Sequence, residues 1–148
     1  MSSSLFSSMR ISASGMTAER SRMDVIAENI ANAESTHTKE GGPYRRRQVV
    51  FQSIVPEKRF SDAFSTSLGS QEPLSVKVAG VIQDTRPFQE VHDPSHPDAD
   101  ANGMVKLPNV NAVEEMVNLN AASRSFEANV TAMEASKRMF LKSLELLR

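Results

Sequence analysis

Two long segments near the ends of the chain place apolar residues at every seventh position, and this repeat limits the possible folds more than any other feature. A strict seven-residue spacing keeps one apolar seam turned towards a partner helix. In the first segment it predicts a helix from residue 3 to about 33, in which Gly15 favours the close approach of a second helix. The seam consists of Met9, Met16, Met23 and Ile30, with Ile26 on the same face.

The C-terminal segment carries a second repeat of the same length. From Ala112 to about Leu147 the chain contains no Gly or Pro, which predicts a helix on the order of 50 Å long. Asn111 is the expected N-cap, with Glu114 at the reciprocal position of a capping box. The seam consists of Leu119, Phe126, Met133, Phe140 and Leu147, and Val130 and Leu144 lie in an adjoining stripe.

The middle of the chain predicts a small β-rich region. Alternating apolar residues indicate short strands over residues 44–54, 74–84, 88–92 and 104–107. Residues 55–73 are rich in Ser and contain Pro and Gly, which predicts a flexible surface loop.

We therefore predict a mainly α fold with a small β-rich domain. Residues 1–36 and 109–148 form terminal helices that pack as a coiled-coil core domain, and residues 37–108 form an outer domain. Because the outer domain is too small to cover both helices, we expect apolar flanks of the helix pair to contact further helices. An intramolecular hairpin and a simple coiled-coil dimer remain open alternatives. The expected flanks are Val113, Val117, Leu141 and Leu146.

The composition argues against several classes of function. A formal net charge of −1 gives no long-range field for nucleic acid or an anionic membrane. The absence of Cys excludes disulfides, thiol nucleophiles and thiolate metal sites. No stretch reaches the roughly 18 apolar residues of a membrane span, and the N-terminus lacks the apolar core of a cleaved secretory signal. The Ser and Thr residues show no nucleophile elbow, so we expect neither a cofactor nor enzymatic activity.

Histidine and aspartate residues cluster between two of the predicted strands. The residues His92, Asp93, His96, Asp98 and Asp100 carry the donor atoms of a metal site, and a metal hydrolase using the two histidines is the enzymatic alternative. Asp and Pro also favour turns. We therefore expect a solvated turn without a bound metal.

Three consecutive basic residues, Arg45, Arg46 and Arg47, follow the first loop. Such a run is able to bind nucleic acid or phosphate groups. In a strand, however, Arg46 faces away from its two neighbours, which divides the positive charge between two faces. We therefore expect a solvated face or salt bridges between subunits.

Several segments resemble a known family. The segment MDVIAENIANAEST at residues 23–36 is similar to the N-terminal signature of bacterial flagellar rod and hook proteins. The segments that resemble one proximal-rod member of that family are GGPYRR at 41–46, HDPSHPDAD at 92–100, VKLPNVN at 105–111 and AASRSFEANVTA at 121–132. The chain departs from the family pattern at Glu28, where Asn is usual, and at Ala33, where Val is common.

The resemblance implies a structural subunit of the proximal rod of the flagellar basal body. Such a subunit assembles with other rod proteins and with copies of itself into a hollow shaft that transmits torque and encloses the export channel. The implied location is the rod where it crosses the periplasm, reached through the flagellar type III export apparatus without a cleaved signal peptide. A coiled-coil adaptor that binds a partner helix is the alternative from a different class.

Asn29 and Asn32 belong to the matched signature near the end of the first helix. Their amides either bond a neighbouring subunit or simply end the helix, since Asn favours caps and turns. We include both among the expected assembly residues with the members of the two repeats. The full set is Met9, Met16, Met23, Ile26, Asn29, Ile30, Asn32, Leu119, Phe126, Val130, Met133, Phe140, Leu144 and Leu147.

Overall fold

The structure is a computed structural model that describes residues 2–39, 41–54 and 75–145. The described residues are mainly helical with a small β region, as the sequence predicts. The expected loop at 55–73 lies outside them, as do Leu146 and Leu147. In chain order the elements are α1 (Ser2–Ala31), β1 (Arg47–Ile54), β2 (Ser75–Gln83), β3 (Gln89–His92), β4 (Met104–Leu107) and α2 (Ala112–Glu145).

The start of α2 confirms the predicted cap. Asn111 Oδ1 accepts hydrogen bonds from the backbone N–H of Val113 at 3.0 Å and of Glu114 at 3.3 Å. These contacts satisfy donors that a helix leaves free in its first turn. At the end of α1, Asn32 Nδ2 donates to the backbone oxygen of Glu28 at 2.8 Å, so its amide bonds the last helical turn.

The described strands form two pairs, β1 with β2 and β3 with β4. The second pair is antiparallel, with Gln89 opposite Leu107 and Val91 opposite Val105. The loop that connects β3 to β4 requires a glycine at position 103, where φ is +73° and a Cβ atom would lie 3.0 Å from Pro94. This loop carries most of the acidic cluster that the sequence singles out.

The chain divides into two compact units, and each unit draws on separate parts of the sequence. Unit 1 consists of Met1–Arg20, Phe51–Ala79 and Arg124–Arg148, and unit 2 consists of Ser21–Val50 and Gly80–Ser123. The predicted division into a helical core and an outer domain is a different partition, and it stays a prediction.

In unit 1 the N-terminal part of α1 runs antiparallel to the C-terminal part of α2. The rings of Phe6 and Phe140 meet edge to face, with centroids 5.4 Å apart and planes at 61°. Further along α1, the Ser8 hydroxyl lies 3.1 Å from the Ser136 hydroxyl. Residues with increasing numbers along α1 therefore lie against residues with decreasing numbers along α2.

Gly15 lies against the other helix, as the sequence predicts. A Cβ atom at this position would lie only 2.9 Å from Asn129 Nδ2, so the contact needs a residue without a side chain. The neighbouring Ser14 ties α1 to β2, because its hydroxyl accepts a hydrogen bond from the backbone N–H of Val76 at 3.2 Å.

Unit 2 has a small apolar core supplemented by polar side chains. Its buried polar residues include Asn29 and Glu115, both with no exposed surface. Burial of such groups is costly unless every donor and acceptor finds a partner. The buried nonpolar and aromatic residues are Ile26, Tyr44, Val105, Pro108, Val110 and Ala122.

Candidate functional site

The site is a buried network in unit 2 made of Asn29, Tyr44, Arg46, Asn109 and Glu115. We call these five residues the buried network. They come from the end of α1, the segment before β1 and the region where α2 begins. Their side chains join parts of the sequence that are far apart.

Asn29 is the centre of the buried network. Its Nδ2 group donates to the backbone oxygen of Arg47 at 2.8 Å and to Glu115 Oε2 at 2.9 Å. Its Oδ1 atom accepts from the backbone N–H of Arg47 at 2.9 Å and from the Tyr44 hydroxyl at 3.0 Å. Both N–H groups and both lone pairs of the amide are thus used within the chain.

Glu115 and Arg46 form a buried ion pair. Glu115 Oε1 accepts from Arg46 Nη2 at 2.7 Å, from Arg46 Nε at 3.0 Å and from Asn118 Nδ2 at 3.3 Å. The exposed fractions of the two side chains are 1% for Glu115 and 8% for Arg46. Removing one partner of such a pair strands the other charge away from water, which costs about 3–5 kcal/mol.

Asn109 links the backbone on either side of the ion pair. Its Oδ1 atom accepts from the backbone N–H of Arg46 at 2.8 Å. Its Nδ2 group donates to the backbone oxygens of Asp84 at 3.3 Å and Arg86 at 3.1 Å. One amide therefore bonds the chain before β1 to the chain after β2.

Two titrating groups at the edge of the buried network hold fixed protonation states at neutral pH. The backbone N–H of Arg86 lowers the pKa of the Asp84 carboxyl, and the guanidinium of Arg86 adds to this effect. Burial raises the pKa of the Tyr44 phenol, and the nearby carboxylate of Glu28 raises it further. Tyr44 consequently stays a hydrogen-bond donor to Asn29.

The arrangement is suited to holding segments together. Each carboxylate oxygen of Glu115 is occupied by donors from within the chain. The same is true of the Asn29 amide. A fully satisfied polar group of this kind fixes one packing arrangement and has no capacity left for a substrate.

The prediction for Arg46 is wrong. A solvated face or a salt bridge between subunits was expected, whereas the guanidinium is buried against Glu115 in the same chain. The predicted alternation does hold, because the neighbours turn elsewhere: Arg45 lies over the Phe88 ring at 4.4 Å, and Arg47 pairs with Glu28 at 2.9 Å. The buried carboxylate of Glu115 accepts hydrogen bonds from the Arg46 guanidinium, which therefore lies in the interior.

The two signature asparagines behave differently. Asn32 bonds the last turn of its own helix, in agreement with the expectation that it ends the helix. All hydrogen-bonding groups of the Asn29 side-chain amide are used within the chain, and its part in assembly stays a prediction. The sequence reasoning missed Tyr44, Asn109 and Glu115. For Glu115 a signal existed, since it lies seven residues before Ala122 on the inward face of α2.

The other expected assembly residues lie at various depths. Ile26 is buried, Asn32 is half-buried and Leu144 is exposed. In unit 1 the contacts between the helices pass through Ser8 and Gly15, each one position before a methionine of the predicted seam. The role of the repeat in assembly stays a prediction. Its half-buried members are Met9, Met16, Met23, Ile30, Leu119, Phe126, Val130, Met133 and Phe140.

The acidic cluster organises its own loop. Asp98 accepts from the Thr36 hydroxyl at 2.7 Å and lies 2.9 Å from His37 Nε2, and these contacts, led by Thr36, lower its pKa. Asp93 accepts hydrogen bonds from the hydroxyl and the backbone N–H of Ser95, and these bonds lower its pKa. Asp100 accepts from the backbone N–H groups of Met104 and Asn102, which lowers its pKa as well. Within the described residues, no group of three His, Asp or Glu side chains is placed to hold a metal ion.

Comparison with known proteins gives matches at both ends of the chain. A family model of flagella basal body rod proteins matches residues 9–37, which include Asn29. A model of the C-terminal region of flagellar basal body rod FlgEFG proteins matches residues 101–146, which include Asn109 and Glu115. In the part of the chain that the structure describes, no helix is both long and apolar enough to cross a membrane.

Similarity to individual proteins extends over nearly the whole chain. The flagellar basal-body rod protein FlgC of Borreliella burgdorferi is 42% identical, covering 97% of this chain and 98% of the relative. For FlgC of Bacillus subtilis the identity is 44%, with 95% and 97% covered. For FlgC of Salmonella typhimurium it is 43%, with 92% of both chains covered. The chain belongs to the FlgC family of flagellar basal-body rod proteins.

Proposed function

We propose that this chain is a structural subunit of the proximal rod of the flagellar basal body. It assembles with other rod proteins and with copies of itself into the hollow shaft that transmits torque and encloses the export channel. The observation that carries the proposal is similarity to FlgC rod proteins over almost the full length of both chains. As a member of this structural family, the chain is not an enzyme.

The apolar surface of the helices supports assembly. Three of the flanks expected to contact other helices are open to solvent: Val113 is 71% exposed, Val117 63% and Leu141 49%. Exposed β-branched residues in a helix gain nothing from burial and slightly disfavour the helix. We infer that the terminal helices pack as a coiled coil whose outer apolar positions are covered by helices of neighbouring subunits.

The buried network supports the transmission of torque. A rotating shaft needs subunits in which the helices and the β region move together. In unit 2 the five network residues join the end of α1 and the start of α2 to the chain beside β1 and β2. We infer that this network carries load between the inner helices and the outer domain of each subunit.

The route to the rod is part of the same proposal. A rod subunit is assembled in the periplasm, and we propose that this chain reaches it through the flagellar type III export apparatus without cleavage. Mass spectrometry of the chain in purified basal bodies tests this. An N-terminal peptide beginning at Met1 or Ser2 is expected, and a peptide that begins after a removed leader contradicts the proposed route.

Deletion of the gene tests the function. We expect basal bodies that keep the membrane ring but lack the rod and everything beyond it, together with loss of hook-protein secretion to the exterior. Expression of the wild-type chain from a plasmid is the control and restores both. Persistent rods, hooks and swimming would contradict the proposal, and a coiled-coil adaptor with a fixed oligomeric state would then account better for the helices.

A further inference from the structure

Opposite charges are segregated within unit 2. Between Lys39 and Arg47 the sequence has four basic residues and one acidic residue. Between Pro87 and Val105 it has four acidic residues and no Lys or Arg. Arg46 is buried against Glu115, which leaves Lys39, Arg45 and Arg47 as the partly or fully exposed cations of the basic segment.

The basic segment borders an open groove with a volume of about 730 Å³. Two guanidinium groups are placed on aromatic rings there: Arg45 over Phe88 at 4.4 Å, and Arg47 near Tyr44 at 5.7 Å. Such stacking restricts the guanidinium while its N–H groups remain available to carboxylates. We call this the basic groove, with Glu28, His37, Lys39, Tyr44, Arg45, Arg47 and Phe88 in its wall.

Among the described residues, part of the positive charge in the basic groove has no ion-pair partner. Arg47 pairs with Glu28 at 2.9 Å. Over residues 2–39, 41–54 and 75–145, neither Arg45 nor Lys39 forms an ion pair, and Arg45 makes only a long contact of 3.4 Å to the backbone oxygen of Asp84. These two cations are free to receive an anionic group.

The acidic counterpart is the loop of residues 93–103, which we call the acidic loop. Asp98 is engaged with Thr36 and His37. Asp93 and Asp100 are at least partly exposed, and neither forms an ion pair with a Lys or Arg that the structure describes. Their lowered pKa values keep both carboxylates ionised at neutral pH.

We propose that the acidic loop of one copy of this chain docks into the basic groove of the next copy. The groove and the loop consist of different residues, and within one chain the loop touches the groove wall through Asp98 and His37. A contact that Asp93 and Asp100 make with the groove of the next copy is therefore heterologous and propagates from subunit to subunit. Charge complementarity selects this occupant, because the loop presents carboxylates where the groove presents guanidinium and ammonium groups. The proposal rests on the proposed rod function, for which it names a contact between like subunits.

Sedimentation velocity of the purified full-length chain is the first test. At low salt we expect self-association that weakens at high salt, since exposed ion pairs are screened. Lys39→Glu with Arg45→Glu removes the groove charge, and Asp93→Asn with Asp100→Asn removes the loop charge while keeping acceptor oxygens. Each pair should weaken association by roughly tenfold or more. A wild-type chain that stays monomeric at every concentration and salt overturns the proposal.

Mixing the two double variants is the decisive experiment. The groove variant (Lys39→Glu with Arg45→Glu) keeps an intact loop, and the loop variant (Asp93→Asn with Asp100→Asn) keeps an intact groove. Together they form one productive contact and stop at a dimer. A mixture that stays monomeric overturns the proposal, as does undiminished self-association of either variant alone. Arg124→Glu and Glu134→Gln are matched controls that change charge at exposed positions of α2, outside the groove and the loop, and should associate like the wild type. Circular dichroism confirms that each variant is folded.

Complementation of the deletion strain separates this inference from the rod function. The groove variant should give short or absent rods. Normal rods with the groove variant, in a strain whose rods disappear without the gene, would overturn the docking contact and leave the proximal-rod function standing. Normal rods without the gene would overturn the function itself.

Discussion

The two compact units hold their helix segments together by different means. In unit 1, small side chains and one aromatic pair meet across the helices, as at Ser8 with Ser136 and Phe6 with Phe140. In unit 2, the contact between α1 and α2 is a buried amide bonded to a buried carboxylate, Asn29 with Glu115. Apolar and hydroxyl contacts tolerate sliding, whereas a satisfied polar network admits one arrangement. We therefore expect unit 2 to be the more rigid unit and unit 1 to tolerate more adjustment.

The largest effect is expected from breaking the buried ion pair. Arg46→Met leaves Glu115 buried without its cation and should lower the free energy of unfolding by about 3–5 kcal/mol in urea titrations. Arg45→Met, the matched control, loses one cation–π contact and should cost about 0.5–1 kcal/mol. Equal losses from the two variants would mean that the network does not fix unit 2. Adding Glu115→Met to Arg46→Met should recover part of the loss, because neither charge of the pair then remains buried, although Asn29 Nδ2 loses its carboxylate acceptor.

The signature asparagines provide the next comparison. Asn29→Ala leaves buried donors and acceptors of Tyr44, Arg47 and Glu115 unpaired, and each such group costs about 1–3 kcal/mol. We expect a loss of about 3 kcal/mol in the free energy of unfolding. Asn32→Ala removes two part-buried contacts at a helix end, one to the backbone oxygen of Glu28 and one from the Ser35 hydroxyl, and should cost about 1 kcal/mol. Similar values for the two variants would contradict the central place of Asn29.

In unit 1, substitution of Gly15 should have a smaller effect on the free energy of unfolding, and this effect depends on the residue at position 129. Alanine is favoured over glycine in a helix by about 1 kcal/mol, but its Cβ would displace the side-chain amide of Asn129. We expect Gly15→Ala to be nearly neutral in the wild-type chain and to stabilise it by about 1 kcal/mol in an Asn129→Ala background. A double-mutant cycle measures the coupling. Additive effects would show that the close approach does not constrain the helices.

The smallest effect concerns pH and the polar contacts of unit 2. The pKa values of Asp84 and Asp98 are lowered in the folded chain from their ordinary value of 3.8. A lowered folded-state pKa stabilises the fold above the unfolded value, and this stabilisation disappears as the pH falls through the folded value. The melting temperature should therefore decline below about pH 4. Asp98→Asn keeps an acceptor for Thr36 and should make that decline shallower, and an unchanged slope would contradict the assignment.

The elements were predictable because their signals are periodic and local. The stretch without Gly or Pro placed α2 at 112 to about 147, against the observed Ala112–Glu145. The alternation of apolar residues placed β1 and β2, and the two shorter strands were also expected near their observed positions. The Asn111 cap and the close approach at Gly15 also followed from local rules. Each of these predictions depends on residues that lie close together in the sequence, within one turn of a helix or one strand. Such local patterns are visible in a single sequence.

The buried network was not predictable in the same way. Asn29 and Glu115 are separated by most of the chain, and local rules assign them to a helix end and a helix dipole. Arg46 belongs to a run of cations that ordinarily faces water. Only the tertiary fold brings these residues together and reverses each assignment. The sequence placed the two terminal helices well, whereas its prediction for Arg46 was wrong and Tyr44, Asn109 and Glu115 were missed.

The most direct test of the account is complementation of the deletion strain with Phe126→Asp, read by electron microscopy of basal bodies. Phe126 lies half-buried on the predicted seam of α2, and a charge there opposes burial in a helix interface. Ala128→Asp places the same charge at an exposed position of the same helix and is the folding control for circular dichroism. We predict that Phe126→Asp retains helical structure but fails to restore the rod. Normal rods and swimming with Phe126→Asp would contradict assembly through the helical seam.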